Sequence, residues 1–131
     1  MKIRKVRIVL LLGCLEMIPM ILWQSAVQNG VNVLCMSPGK KNYSHVNYPL
    51  ERIETAIKWL KDNGNRKIGI MGMSTAGTDA IVAASLFPDI TLTFGLTASD
   101  FVWQGFEQGN KDGCKEWPIP GASTLSWKGE P

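Results

Sequence analysis

The chain has 131 residues, 45% hydrophobic and 19% charged, the composition of one folded domain long enough to bury a core. Its formal charge of +3 comes largely from Lys2, Arg4, Lys5 and Arg7, and the other charges are interspersed, which argues against the basic stripe of a nucleic-acid footprint. Three widely spaced cysteines, Cys14, Cys35 and Cys114, and one histidine, His45, suggest neither a disulfide framework nor a zinc site, so the thiols read as reduced, the chain as cytoplasmic, and no metal or cofactor is expected.

Val6 to Leu12 is, apart from Arg7, a run of β-branched residues and leucine ending at Gly13, as in a parallel strand covered on both faces. The basic residues before it and Cys14 after it also fit an export signal with a lipoprotein-like cysteine, but the run is short for that, and the strand is the preferred reading. No segment approaches the roughly 18 apolar residues of a membrane span. Met17 to Gln28 has a fair helical period through Ile18, Ile21, Leu22 and Ala26, and Asn29-Gly30 stops it. Val31 to Met36 predicts a second strand closed by Ser37-Pro38-Gly39, and Lys40 to Tyr48 a polar loop that contains His45.

Pro49 suits a first helical position, after which Leu50, Ile53, Ile57 and Leu60 fall on one face and Glu51, Arg52, Glu54, Lys58 and Lys61 on the other. Glu54 and Lys58 form an expected i,i+4 pair, and Asp62-Asn63-Gly64-Asn65 supplies the stop. Lys67 to Met71 predicts a third strand entering Gly72, Thr78 to Leu86 an alanine-rich helix able to lie close on a sheet, and Thr91 to Thr97 a fourth strand with Asp100 just beyond it. Strands alternating with helices in this order predict a parallel sheet with right-handed crossovers. From Trp103 onward glycine and proline punctuate the chain, so the sheet core is placed at about 6–100 and residues 101–131 are expected to be an irregular aromatic tail.

Gly72-Met73-Ser74-Thr75-Ala76-Gly77 falls where a strand turns into a helix. A serine hydroxyl is a poor nucleophile unless exposed and aimed, and a sharp strand-to-helix turn does both. The residues two before and two after the nucleophile must be small, here Gly72 and Ala76, and Gly77 relieves the approach of the helix. The N–H of Thr75, at the helix N-terminus, is placed to bind a developing oxyanion, with a second donor from the loop near Gly13 and Cys14. A phosphate-gripping loop needs lysine after its second glycine, but Thr78-Asp79 follows Gly77; a dinucleotide fingerprint needs glycine where Ser74 stands.

These residues resemble the acyl-CoA thioester hydrolase and bile acid-CoA:amino acid N-acyltransferase C-terminal domain, a branch of the α/β-hydrolases. The resemblance runs from about Val6 to Trp127 and is carried by Pro49 to Lys61, by Ile68 to Gly77 and by Ser99-Asp100-Phe101-Val102-Trp103-Gln104-Gly105. It differs from the common α/β-hydrolase pattern in having Ala76 where glycine is usual. It implies a nucleophile, here Ser74, that takes an acyl group from a thioester and passes it to water or an amine. In such families an acid and then a histidine follow the nucleophile. No histidine follows Ser74, so the chain is expected to be an amino-terminal part of such a domain.

Asp100 stands at the sheet edge where an acid acts, with a structural role as the plainer reading. His45 is expected on a surface loop on Ser74's side of the sheet, and Asp79, one turn beyond Ser74, to cap or pair locally. Trp103, Phe106 and Trp117 either line an acyl groove or are exposed in the tail. The expectation is a single partial α/β domain, a parallel-sheet three-layer α/β-hydrolase-like sandwich truncated at its C-terminal end. Ser74 is its catalytic residue, Thr75 and Cys14 its oxyanion donors, and an acyl thioester, such as an acyl-CoA, its substrate. The alternative is a noncatalytic or partner-completed interaction module, and an exposed sheet edge would let either form self-associate.

Overall fold

The computed structural model describes residues 7–11, 24–36, 45–108 and 116–131. In chain order these hold β1 (Arg7–Leu11), a helical segment at 24–28 (α1), β2 (Asn32–Met36), β3 (Tyr48–Pro49), α2 (Glu51–Asp62), β4 (Ile68–Met73), α3 (Thr75–Leu86), β5 (Ile90–Leu96), β6 (Gln104–Gln108), β7 (Glu116–Ser123) and β8 (Leu125–Ser126). The four apolar runs read as strands are β2, β1, β4 and β5, side by side in that order, and every neighbouring pair is parallel. The chain is thus an α/β fold, and its opening run is a strand with a neighbour on each side.

Strand residues two apart share a face, so Ile68 and Ile70 project together from β4. They meet Ile53, Ile57 and Leu60 of α2 and Ala76, Ala80 and Ala83 of α3 in one hydrophobic cluster, with Leu34 and Met36 of β2 packed against it. Each fully buried isoleucine or leucine there contributes about 1.5–3 kcal/mol. The alanines keep α3 close to the sheet, where it lies against β4 and β5 alike. Both helices therefore cover the Ile68/Ile70 face. On the opposite face β5 carries Leu92, Phe94 and Leu96, all exposed.

Helix α2 ends at Asp62, within the expected stop Asp62-Asn63-Gly64-Asn65, but it begins later than Pro49 suggested. Pro49 belongs to β3. The Tyr48 and Leu50 N–H groups donate to Thr124 O and Ser126 O, so the ladder to β8 uses the donors on either side of proline and does not need the one it lacks. The Glu54–Lys58 pair is also replaced. Lys58 lies one turn from two carboxylates and bonds Asp62 at 2.6 Å, while Lys61 reaches Asp89 at 2.6 Å. Exposed pairs differ by only a few tenths of a kcal/mol, too little for spacing alone to decide.

The expectation of an irregular segment at 101–131 is corrected: β6 and β7 pair antiparallel, and β8 pairs parallel with β3. Pro118 and Pro120 are accommodated because, among the described residues, β7 has a single strand neighbour, leaving one side of the strand where no ladder donor is needed. Leu125 enters the main cluster beside Tyr48 and Leu50, and Trp127 stands edge-on to Phe87 at 5.4 Å.

Candidate functional site

β4 ends at Met73 and α3 begins at Thr75, so Ser74 alone makes the turn. Its φ of 55° and ψ of −128° lie where a residue with a Cβ is strained, at about 1–3 kcal/mol. Three backbone bonds hold it there. The Ser74 N–H donates to Leu96 O at 2.8 Å, and Ser74 O accepts from the N–H groups of Gly77 at 2.8 Å and Thr78 at 3.2 Å. Serine at a helix N-cap ordinarily spends its hydroxyl on a free helix N–H. Ser74 makes no such capping bond, and the residue is exposed.

The small neighbours are required by space. A Cβ on Gly72 would lie 1.9 Å from Ala76 O, and one on Gly77 3.1 Å from Ala98 Cβ and 3.2 Å from Gly72 O. Ala76 is wholly buried, so its methyl group, in place of the more usual glycine, fits beneath the turn. The Thr75 N–H is in the first turn of α3, where helix geometry leaves donors without intrahelical acceptors. Cys14 lies outside the described residues.

The segment after β5 is tied to this turn. The Ser99 N–H donates to Thr78 Oγ1 at 3.0 Å, and Trp103 Nε1 donates to Ser99 Oγ at 2.6 Å. Asp100 between them is exposed. Phe101 and Trp103 stack at 4.9 Å and, with Val102, leave an exposed apolar surface on this segment. Phe106 is elsewhere, against His45, and the Trp117 side chain lies outside what is described.

His45 is not on a surface loop. It is 4% exposed, exchanges backbone hydrogen bonds with Phe106 at 2.9 and 3.0 Å, and stacks its ring on Phe106 with centroids 5.1 Å apart. Asp79 neither caps nor pairs: it is 1% exposed, and neither carboxyl oxygen has a hydrogen-bond partner among the described residues. Burial pushes its pKa up to about 7. Burial also raises the Tyr48 phenol; Arg52, whose guanidinium lies 5.7 Å from the ring centre, draws it down, and Asp79 adds a smaller upward push. Position 79 lies three residues after Ala76 and four before Ala83, on the buried side of α3, and that spacing was the available signal.

A groove of about 670 Å³ between α2 and the end of α3, lined by Ile57, Lys58, Leu86, Phe87 and Trp127 among others, lies at the far end of α3 from Ser74. Among the described residues no three His, Cys, Asp or Glu side chains gather to hold a metal, and no helix is long and apolar enough to cross a membrane. Comparison with family models, with curated proteins and with solved structures finds no match to this chain, so the Ser74 turn rests on its own geometry.

Proposed function

We propose that the chain is an acyl hydrolase of the α/β-hydrolase type, built as the corresponding three-layer sandwich and acting through Ser74 on acyl thioesters. The observation that carries this is the Ser74 backbone: a residue with a Cβ held at φ 55°, exposed, and without the capping bond that would explain serine there. Strain of this kind persists where a side chain must be aimed. Ser74 Oγ attacks the acyl carbonyl carbon, and the Thr75 N–H receives the oxyanion. The C–S bond breaks, the serine proton goes to the departing thiolate, and water then cleaves the acyl-serine ester to release the acid and restore the hydroxyl.

The buried His45, packed on Phe106, favours a second reading, an interaction module that keeps the turn without the chemistry. A fluorophosphonate probe separates the two. On the catalytic reading the wild type labels at Ser74, Ser74→Ala does not, and a short acyl thioester is hydrolysed by the first alone. Equal labelling of both proteins discards it.

A further inference from the structure

We propose that two copies of this chain pair through β5, antiparallel about a two-fold axis at Phe94, and so join their sheets into one. Among the described residues β5 is an outer strand, bonded only to β4. Natural outer strands are usually blunted by charge, proline or a bulge. From Ile90 to Ser99 there is no charged residue and no proline, and the one register irregularity sits at Ile68/Gly69, leaving Leu92 to Leu96 regular.

The strand is self-complementary. Two-fold pairing at Phe94 sets Leu92 opposite the second copy's Leu96, Thr93 opposite Gly95, and Phe94 opposite Phe94. An axis perpendicular to the sheet keeps each apolar row on the same face in both copies. Leu92, Phe94 and Leu96 are 57%, 53% and 37% exposed, so all three cross-strand apolar pairs gain cover on association.

The helical layer fits the same arrangement. α3 lies against β4 and β5 alike, half a strand spacing inside the edge. With strands about 4.8 Å apart, the two α3 axes then stand about 10 Å apart across the seam, the distance at which helices pack. The residue that would fill that space is Ile81. It is 47% exposed on α3, and its Cδ1 lies 3.3 Å from where a Gly95 Cβ would be, directly over the edge strand. A strand edge of seven residues plus a helix ridge from each copy forms the contact, which has to clear roughly 1,000 Å² in total to be specific. A two-fold seam uses the β5 edge of both copies, so this contact closes at two copies.

The test is sedimentation of the full chain and of Phe94→Lys and Phe94→Glu, alone and mixed. Wild type is expected at twice the chain mass. Each variant alone sets like charges opposite each other and is expected at the mass of one chain with an unchanged circular dichroism spectrum. Mixing the two restores the dimer, which a merely misfolded variant cannot do. Ile81→Lys is expected to weaken wild-type association at least tenfold. A monomeric wild type, a dimer that survives both charged variants, variants that do not recombine, or open-ended assembly each overturns the proposal.

Discussion

Replacing Asp79 by asparagine tests the energetic account of α3 most directly. A carboxyl whose pKa is raised to about 7 from 3.8 is favoured in its neutral form by the fold. The stability it supports is fully present below the unfolded value and is lost as pH rises toward the folded one, about 4 kcal/mol from this group over that window. Asparagine cannot ionise, so Asp79→Asn removes this pH dependence. It also buries amide donors for which no partner is in place, at about 1–3 kcal/mol. The two effects oppose each other. The variant is expected to be slightly less stable than wild type near pH 5 and more stable by about 1–3 kcal/mol near pH 8. Urea unfolding followed by circular dichroism, with both proteins measured from about pH 5 to about pH 8, isolates the difference, because every other titrating group contributes equally to both curves. Parallel curves, or a variant that loses ground as pH rises, would refute the reasoning.

Gly72→Ala is expected to lower stability by at least about 3 kcal/mol and to abolish probe labelling, since its new methyl would lie 1.9 Å from Ala76 O; thermal melting and labelling check both. Ser74→Gly is expected to raise stability by about 1 kcal/mol while eliminating labelling, because glycine adopts a positive φ freely; Ser74→Ala should show no such gain in the same melt. Ile53→Ala is expected to cost roughly 2–5 kcal/mol, and Trp59→Ala, at a residue 54% exposed on the other side of α2, less than about 1 kcal/mol, both read from denaturant midpoints.

The sheet was legible because short runs rich in apolar residues bounded by turn residues mark strands, as at 6–12, 31–36 and 67–71, and because Leu92, Phe94 and Leu96 alternate with smaller residues over 91–97. The turn at Ser74 was legible for a different reason: close backbone approach admits only small residues, and Gly72, Ala76 and Gly77 fall at the required offsets. β7 was hidden by Pro118, Pro120 and Gly121, which break a strand everywhere except where a neighbour is missing on one side. The strand character of Tyr48–Pro49 was hidden by distance, since its partner Leu125–Ser126 lies far along the chain and nothing local announces the pairing. Pro49 was read as a helix start because that is its commoner use. Asp79 and His45 were misread because a charged or polar residue is ordinarily assigned to the surface, and only the packing of α3 and of Phe106 reverses that assignment.

The pairing of β3 with β8 joins two segments far apart in the chain. Tyr48 and Leu50 stand at the entrance to α2, yet the strand that seals them comes after the four-stranded sheet and both helices packed on it. During synthesis the parallel sheet and both major helices emerge with this flank of the core uncovered, and no local rearrangement closes it. Closing this flank waits for Leu125, and a pairing between segments so far apart in the chain is slow to form.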